Sequence, residues 1–243
     1  YCEFDFEITP LCGWGDTGKK QRSTGGWLSS FSVFEPHWQV TLADARATGR
    51  VIWQVQVYEF ADAPFFAEKN WGAALPKKWY WTQCNSFDSY PQLSVTAGGG
   101  IRDIPFGRQE ALGMGSIHYN GTLYQAVPWT GSMDWEVSTW GSWRLKGRCD
   151  CGPRKFDVVY ECSCNPEAKP GLVFRAPTYE EGMVRFCRDT FEANTTLSLW
   201  ELEWDSTTRL FVRKTGPPLI DNATSTQGCA EVGGGQWWDE WKG

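Results

Sequence analysis

The sequence predicts an all-β protein: an antiparallel barrel or curved sandwich with very little helix. Three observations carry that expectation. Gly and Pro punctuate the chain at short intervals, at Gly25-Gly26, Gly49, Pro64, Gly98-Gly99-Gly100, Gly121, Gly131, Gly152-Pro153 and Gly233-Gly234-Gly235, as they do between short strands joined by turns. Between these marks apolar residues recur at every second position, the period of a half-buried strand. The chain also carries 16 Trp and 14 Phe in 243 residues. Large flat side chains suit an apolar cavity or a plain core, and a barrel wide enough for a ligand accommodates them.

The elements follow in order. Val51, Trp53, Val55 and Val57 alternate with Ile52, Gln54, Gln56 and Tyr58, which reads as one strand. Leu93, Val95 and Ala97 alternate with Gln92, Ser94 and Thr96. Ile117 to Tyr119, then Asn120-Gly121, then Leu123 to Val127 reads as a hairpin on a type I′ turn. Cys149, Cys151, Cys162 and Cys164 bracket Gly152-Pro153, a hairpin read as a surface elaboration. Thr178 to Arg188 follows Pro177, and Met183, Val184 and Cys187 sit at helical spacing, so a short helix is expected there. Leu197 to Trp204 is a further strand. Residues 1–30 are expected to be the extended remainder of a preceding barrel or a linker, and 31–243 the barrel domain.

Composition narrows the function classes. The net charge is −6 with both signs scattered, and no basic stripe argues for nucleic acid. No apolar run approaches the ~18 residues of a membrane-spanning helix. The chain opens on Tyr1 rather than Met, which reads as an internal cut with an N-terminal portion missing. The nine cysteines include a CxC…CxC pair. Its spacing departs from the CxxC of zinc sites, and zinc, disulfide and free thiols all stay open. The glycine triplets lack the Lys-Ser/Thr of a phosphate loop; they let the backbone bend or approach something closely. No zincin, nucleophile-elbow or kinase signature occurs.

The most informative stretch is Glu68 to Asn85. It mixes Glu68, Lys69 and the amides of Asn70, Gln83 and Asn85 with Trp71, Trp79, Tyr80 and Trp81. Buried amides and charges cost several kcal/mol unless partnered. If this stretch is buried, it describes a pocket that holds an apolar ligand and handles a proton or hydroxyl. Alternation puts Trp79, Trp81, Gln83 and Asn85 on one strand face; the plainer alternative is a core strand whose amides bond to backbone. Glu68 follows Pro64-Phe65-Phe66-Ala67. An apolar approach would desolvate it and raise its pKa, as a general acid needs; the alternative is an exposed Glu-Lys pair in a loop. Glu35 and His37 are two apart and share a face if extended, so the carboxylate could orient the imidazole for proton relay. A turn followed by a satisfied core histidine explains them as well.

These segments resemble the tocopherol cyclase family, plant and algal enzymes that close the chromanol ring of vitamin E. The resemblance is carried by Gly13-Trp14-Gly15-Asp16, Phe34-Glu35-Pro36-His37-Trp38-Gln39, Asp62-Ala63-Pro64, Glu68-Lys69-Asn70-Trp71-Gly72 and Trp79-Tyr80-Trp81-Thr82-Gln83-Cys84-Asn85. Farther on come Thr96-Ala97-Gly98-Gly99-Gly100, Ile117-His118-Tyr119, Val127-Pro128-Trp129, Trp135-Glu136-Val137, Arg175-Ala176-Pro177-Thr178, Cys187-Arg188-Asp189 and Glu231-Val232-Gly233-Gly234-Gly235. The match covers roughly the second half of a full family member. The sequence departs from the family at Cys149 to Cys164, where members carry a shorter hairpin without cysteine, and around Phe106 to Met114, which is shorter here.

The resemblance implies a lipocalin-like barrel, the second of a two-barrel protein. It also implies a small amphiphilic prenylquinol substrate that is cyclised without metal, nicotinamide or flavin. A plastid location is implied, with peripheral contact to plastoglobule lipid bodies or the thylakoid membrane. Such a reaction needs a protonated carboxylic acid, aromatic faces for a carbocation, and exclusion of water. The residues expected to act as acid or to support it are Glu68, Glu35, His37 and Asp62, with Asp189 in reserve. Trp71, Trp79 and Trp81 are expected to supply aromatic faces, Gln83, Asn85, Asn70 or His37 to hold the quinol hydroxyls, and Trp38 and His118 to take part in substrate binding.

Overall fold

The computed structural model describes residues 1–15, 21–31, 36–72, 75–178 and 180–241. Strands β1 (Cys2–Cys12), β2 (His37–Trp53) and β3 (Gln56–Trp71) form a three-stranded antiparallel sheet in that order. The rest of the chain supplies β4 (Lys78–Cys84), β5 (Leu93–Ile104), β6 (Arg108–Tyr119), β7 (Thr122–Ala126), β8 (Ser132–Val137), β9 (Ser142–Cys151), β10 (Arg154–Ser163), β11 (Leu172–Thr178), β12 (Gly182–Asp205), β13 (Leu210–Arg213) and β14 (Ile220–Gly234), followed by the short helix α1 (Gly235–Trp241). The division expected after residue 30 falls in the connection between β1 and β2, which are strands of one sheet.

Eight of these strands close an antiparallel barrel in the order β4-β5-β6-β7-β9-β10-β12-β14, with β14 pairing back onto β4. The seam between β7 and β9 is a single pair, Gln125 opposite Asp150; β8 runs along β9 beyond it. The all-β expectation therefore holds, and closure removes the edges that an open sheet would leave. The lumen is filled by side chains. Tyr80, Val95, Trp143, Phe156, Leu197 and Val232 belong to one continuous buried cluster contributed by every wall, and Trp237 of α1 packs into the same cluster. A second buried cluster of Trp14, Val40, Ala43 and Val127 lies where the three-stranded sheet covers the outside of the barrel.

Most strand expectations hold. Leu93, Val95 and Ala97 are buried on β5. The β6–β7 hairpin turns at Asn120 and Gly121, both at positive φ of 47° and 76°, as a type I′ turn requires. Three expectations are corrected. Residues 51–58 form a hairpin rather than one strand: Trp53 pairs with Gln56, Gln54 turns at φ 56°, and Val55 is 96% exposed at the tip. The faces change parity across the turn: Val51 and Trp53 share one face with Tyr58 and Gln56, and Val57 lies opposite Ile52 on the other, so the alternation in the sequence does not correspond to one face of a strand. Residues 178–188 hold no helix. Thr178 pairs with Gly182 and Pro177 with Met183 in a β11–β12 hairpin, so pairing with a neighbouring strand overrode weak helical spacing. The cysteine hairpin is not a surface elaboration. It is β9 and β10 of the barrel, with Cys149 and Cys162 buried in the lumen. Cys149 lies opposite Phe156 and Cys162 opposite Trp143, toward opposite ends of the hairpin, and all nine thiols are free.

Candidate active site

The site forms where the three-stranded sheet meets the outer face of the barrel. On β2 and β3, Trp38 is opposite Asn70 and Val40 opposite Glu68, so alternation aims these four at the barrel wall. On β4, Tyr80 and Cys84 enter the lumen cluster, which sends Trp79, Trp81 and Gln83 outward. Trp81 sits between Glu231 of β14 and Gly98 of β5, and Trp79 between Gly233 and Gly100.

Two glycines make room for the indoles. A Cβ on Gly98 would lie 3.3 Å from Cη2 of Trp38, and one on Gly233 would fall inside the Trp79 ring. The sequence expectation that the glycine triplets permit close approach is met here.

These elements line a partly open cavity of about 290 Å³. His37, Trp38, Glu68 and Asn70 line the side toward the small sheet, and Trp79, Trp81, Gly98, Leu112, Met114 and Glu231 the barrel side. Leu28, Ser29, Leu75 and Pro76 close its margin. It is largely apolar with a few convergent polar groups, the usual character of a small-molecule site.

Glu68 is central. Its Oε2 accepts from the indole N–H of Trp38 at 2.7 Å and of Trp81 at 3.0 Å, and its Oε1 accepts from the Asn70 amide at 3.2 Å. Burial pushes its pKa above the usual carboxylate value; the three hydrogen bonds pull it back down, and the charge of Glu231 adds to the rise. Glu231 is held differently. It accepts from the Trp79 indole at Oε1 and shares a hydrogen bond with Asp189, its partner across the β12–β14 ladder. Burial, then the neighbouring Asp189, raise Glu231 to about 8. Burial also raises Asp189, while hydrogen bonds from Cys187 and Glu231 oppose that rise.

Among the described residues, Cys187, Asp189 and Glu231 are the one group whose potential metal-ligating atoms lie within 4.8 Å of one another. The Cys187 thiol donates to Asp189 Oδ1 at 3.0 Å and burial pushes its pKa far up, so the sulfur keeps its proton. With the thiol donating to one carboxyl and the two carboxyls sharing a hydrogen bond, the three side chains form an acid cluster.

The residues expected from sequence distribute unevenly. Glu68, Trp38, Trp79, Trp81, Asn70 and His37 come together around the cavity. Trp71 stacks on His37, with ring centroids 5.1 Å apart, at the outer margin. Asp62 stands exposed at a kink of β3, its backbone N–H donating to Thr48 Oγ1. Gln83 and Asn85 share the outer face with Trp79 and Trp81 but are buried away from the cavity. The Asn85 amide donates to Asp44 Oδ1 and the Phe65 carbonyl, tying the barrel to the small sheet. His118 is buried on β6, away from the cavity lining. Glu35 lies outside the described residues. Sequence reading missed Glu231 as a site residue; the signal available was its position two residues before the Gly233-Gly234-Gly235 triplet.

Fold and site together define a β-barrel protein with an acid-bearing, tryptophan-lined cavity on the outside of its wall. The chain belongs to the tocopherol cyclase-like family, whose model matches residues 1–234. It is 40% identical over 242 residues to a rice protein (Oryza sativa subsp. japonica) named probable tocopherol cyclase, chloroplastic. It is equally similar to the tocopherol cyclase, chloroplastic, of Zea mays. In both cases the match takes in 99% of this chain and 48% of the relative, so the chain spans about half the length of these curated relatives. Among solved structures, kievitone hydratase from Nectria haematococca aligns with a TM-score of 0.43 at 13% identity, over 83% of this chain and 54% of that one.

Proposed function

We propose that this chain carries the active site of a tocopherol cyclase, an isomerase that closes a prenylated benzoquinol to a chromanol. The observation that carries the reading is Glu68 held by two indole N–H groups inside an aromatic cavity whose opposite wall bears a second carboxyl, Glu231. The reaction adds a proton to the less substituted alkene carbon of the prenyl chain and leaves a tertiary carbocation. The ortho phenol oxygen attacks it and loses its proton, so product and substrate are isomers.

Each requirement has a counterpart in the cavity. Trp38, Trp79 and Trp81 offer ring faces that stabilise a cation by about 0.5–2 kcal/mol each. Apolar walls exclude water, which would trap the cation as an alcohol. Asn70, with His37 at the margin, can orient the quinol hydroxyls, and fixing the phenol oxygen beside the cation supplies the proximity such ring closures depend on. The chloroplastic names of the relatives support a plastid location. The exposed Trp53, Val55 and Tyr58 at the β2–β3 tip form an apolar surface suited to peripheral contact with plastoglobules or thylakoid lipid.

Incubation of the full-length protein with a prenylquinol in buffer, followed by chromatography, tests the reading. Chromanol formed without added cofactor is the expected result. Equal binding of quinol and chromanol with no conversion would instead show a non-catalytic prenyl-lipid carrier.

A further inference from the structure

Alkene protonation followed by phenol attack asks for one carboxyl that carries a proton and one that stays charged. The cavity presents two carboxyls that differ in this way. All three partners reported for Glu68 are donors. Indole N–H groups cannot accept, and two of them converge on one oxygen, Oε2, at 2.7 and 3.0 Å. Hydrogen bonds of this kind favour the ionised form and oppose the rise that burial and the Glu231 charge give Glu68, which on balance stays above its ordinary value.

Glu231 also accepts an indole N–H, from Trp79, but unlike Glu68 it has a second carboxyl, Asp189, as a hydrogen-bonded neighbour. Its carboxyl and that of Asp189 lie within 4.8 Å of each other, together with the Cys187 sulfur. Two carboxyls at that range share a proton rather than both ionise. The thiol of Cys187 occupies Asp189 Oδ1, and the indole of Trp79 occupies Glu231 Oε1. Only Glu231 of the pair lines the cavity.

We propose that Glu231 is the acid that protonates the alkene, that Asp189 and Cys187 are positioning residues that keep its proton in place, and that Glu68 is the ionised carboxylate facing the cation. The assignment rests on the cyclase reading and names the groups that execute it. The O–H bond of Glu231 breaks as a C–H bond forms at the less substituted alkene carbon. The neighbouring carbon becomes the tertiary cation, flanked by the Glu68 carboxylate. The phenol oxygen forms the C–O bond, and its proton passes to Glu68. That proton returns to Glu231 through solvent when product leaves, so no electrons are gained or lost and each turnover ends as it began. The groups facing Glu231 are Asp189 and Cys187 from β12, Trp79 from β4 and Glu68 from β3. Burial and Asp189 keep Glu231 protonated up to about pH 8.

The test uses the full-length protein, a prenylquinol, and the variants Glu231→Gln, Asp189→Asn and Glu68→Gln. Tryptophan quenching measures quinol binding and circular dichroism measures folding. Glu231→Gln should lower turnover by about 10²–10⁴-fold, the usual loss on removing a general acid, with binding and fold retained. In the wild type, turnover should fall as pH rises through about 8. Asp189→Asn removes the neighbouring negative charge, so Glu231 releases its proton sooner and that alkaline limb moves to lower pH. A merely structural role for Asp189 would not move it. Glu68→Gln should lower turnover and leave a falling alkaline limb. Wild-type turnover by Glu231→Gln, or an alkaline limb unmoved in Asp189→Asn, overturns the assignment while the cyclase reading stands. Absence of chromanol with the wild-type protein overturns both.

Discussion

On β4 the side chains of Tyr80 and Cys84 join the barrel core, and those of Trp79 and Trp81 leave it on the other side. The inner set meets Val95, Phe156, Leu197 and Val232 and packs solidly. The outer set meets two carboxyls and the glycines that clear space around them. One strand thus supplies core packing inward and lines the candidate site outward. An eight-stranded barrel can either fill with side chains or hold one small ligand; here the lumen is packed, so the cavity lies outside it, under a second layer. The sheet of β1, β2 and β3 provides it by covering the outer wall. Gly98 and Gly233 mark the difference, because they remove side chains only where indoles must lie against the wall.

If the two faces are separable, their variants should separate stability from rate. Phe156→Ala in the lumen should cost about 3–5 kcal/mol, read as a lower denaturant midpoint, with turnover per folded molecule unchanged. A matching loss of turnover would show that the lumen shapes the site. Trp81→Phe keeps a ring on the outer wall and deletes one donor to Glu68. A hydrogen bond to a charged group is worth about 1.5–3 kcal/mol of stability, so the midpoint should fall, and turnover per folded molecule should fall as well because Glu68 loses one of the two indoles that orient it. Gly233→Ala places a methyl against the Trp79 ring and should cost about 1–3 kcal/mol by overpacking. It should also turn Trp79 away from Glu231 and slow turnover. If it changes stability alone, the Trp79–Glu231 contact is dispensable. Cys151→Ser, partly buried on the β9 edge of the cysteine hairpin, should stay within about 0.5 kcal/mol and leave turnover unchanged. A loss of folding there would revive a role for the CxC…CxC pair.

Much of the fold was legible in the chain. Period-two alternation located β5 and the β6–β7 hairpin, since half-buried strands must alternate, and Asn120-Gly121 announced its turn because few other residues accept two successive positive φ values. The aromatic and amide stretch from Glu68 to Asn85 located Glu68, Asn70, Trp79 and Trp81 of the site, while its amides Gln83 and Asn85 are buried away from the cavity. Local pattern misled where a neighbouring strand decided the outcome. Residues 178–188 became a hairpin because β12 pairs with β11, and the CxC…CxC segment became barrel wall because β9 and β10 close the seam.

Sequence alone determined the all-β class, the turn at Asn120-Gly121, the family resemblance and the candidacy of Glu68, Trp38, Trp79 and Trp81. Tertiary structure decided which candidates meet. It drew Asn85 into a tie between barrel and sheet, left Asp62 at the surface, and brought Glu231 into the cavity beside Asp189, 42 positions away in the chain. The physical reason is that a strand's own residues fix which side chains share a face, whereas pairing register and the packing of one sheet on another fix what that face meets. Whether a carboxyl is a donor or an acceptor depends on those neighbours, and for Glu68 and Glu231 they come from different strands.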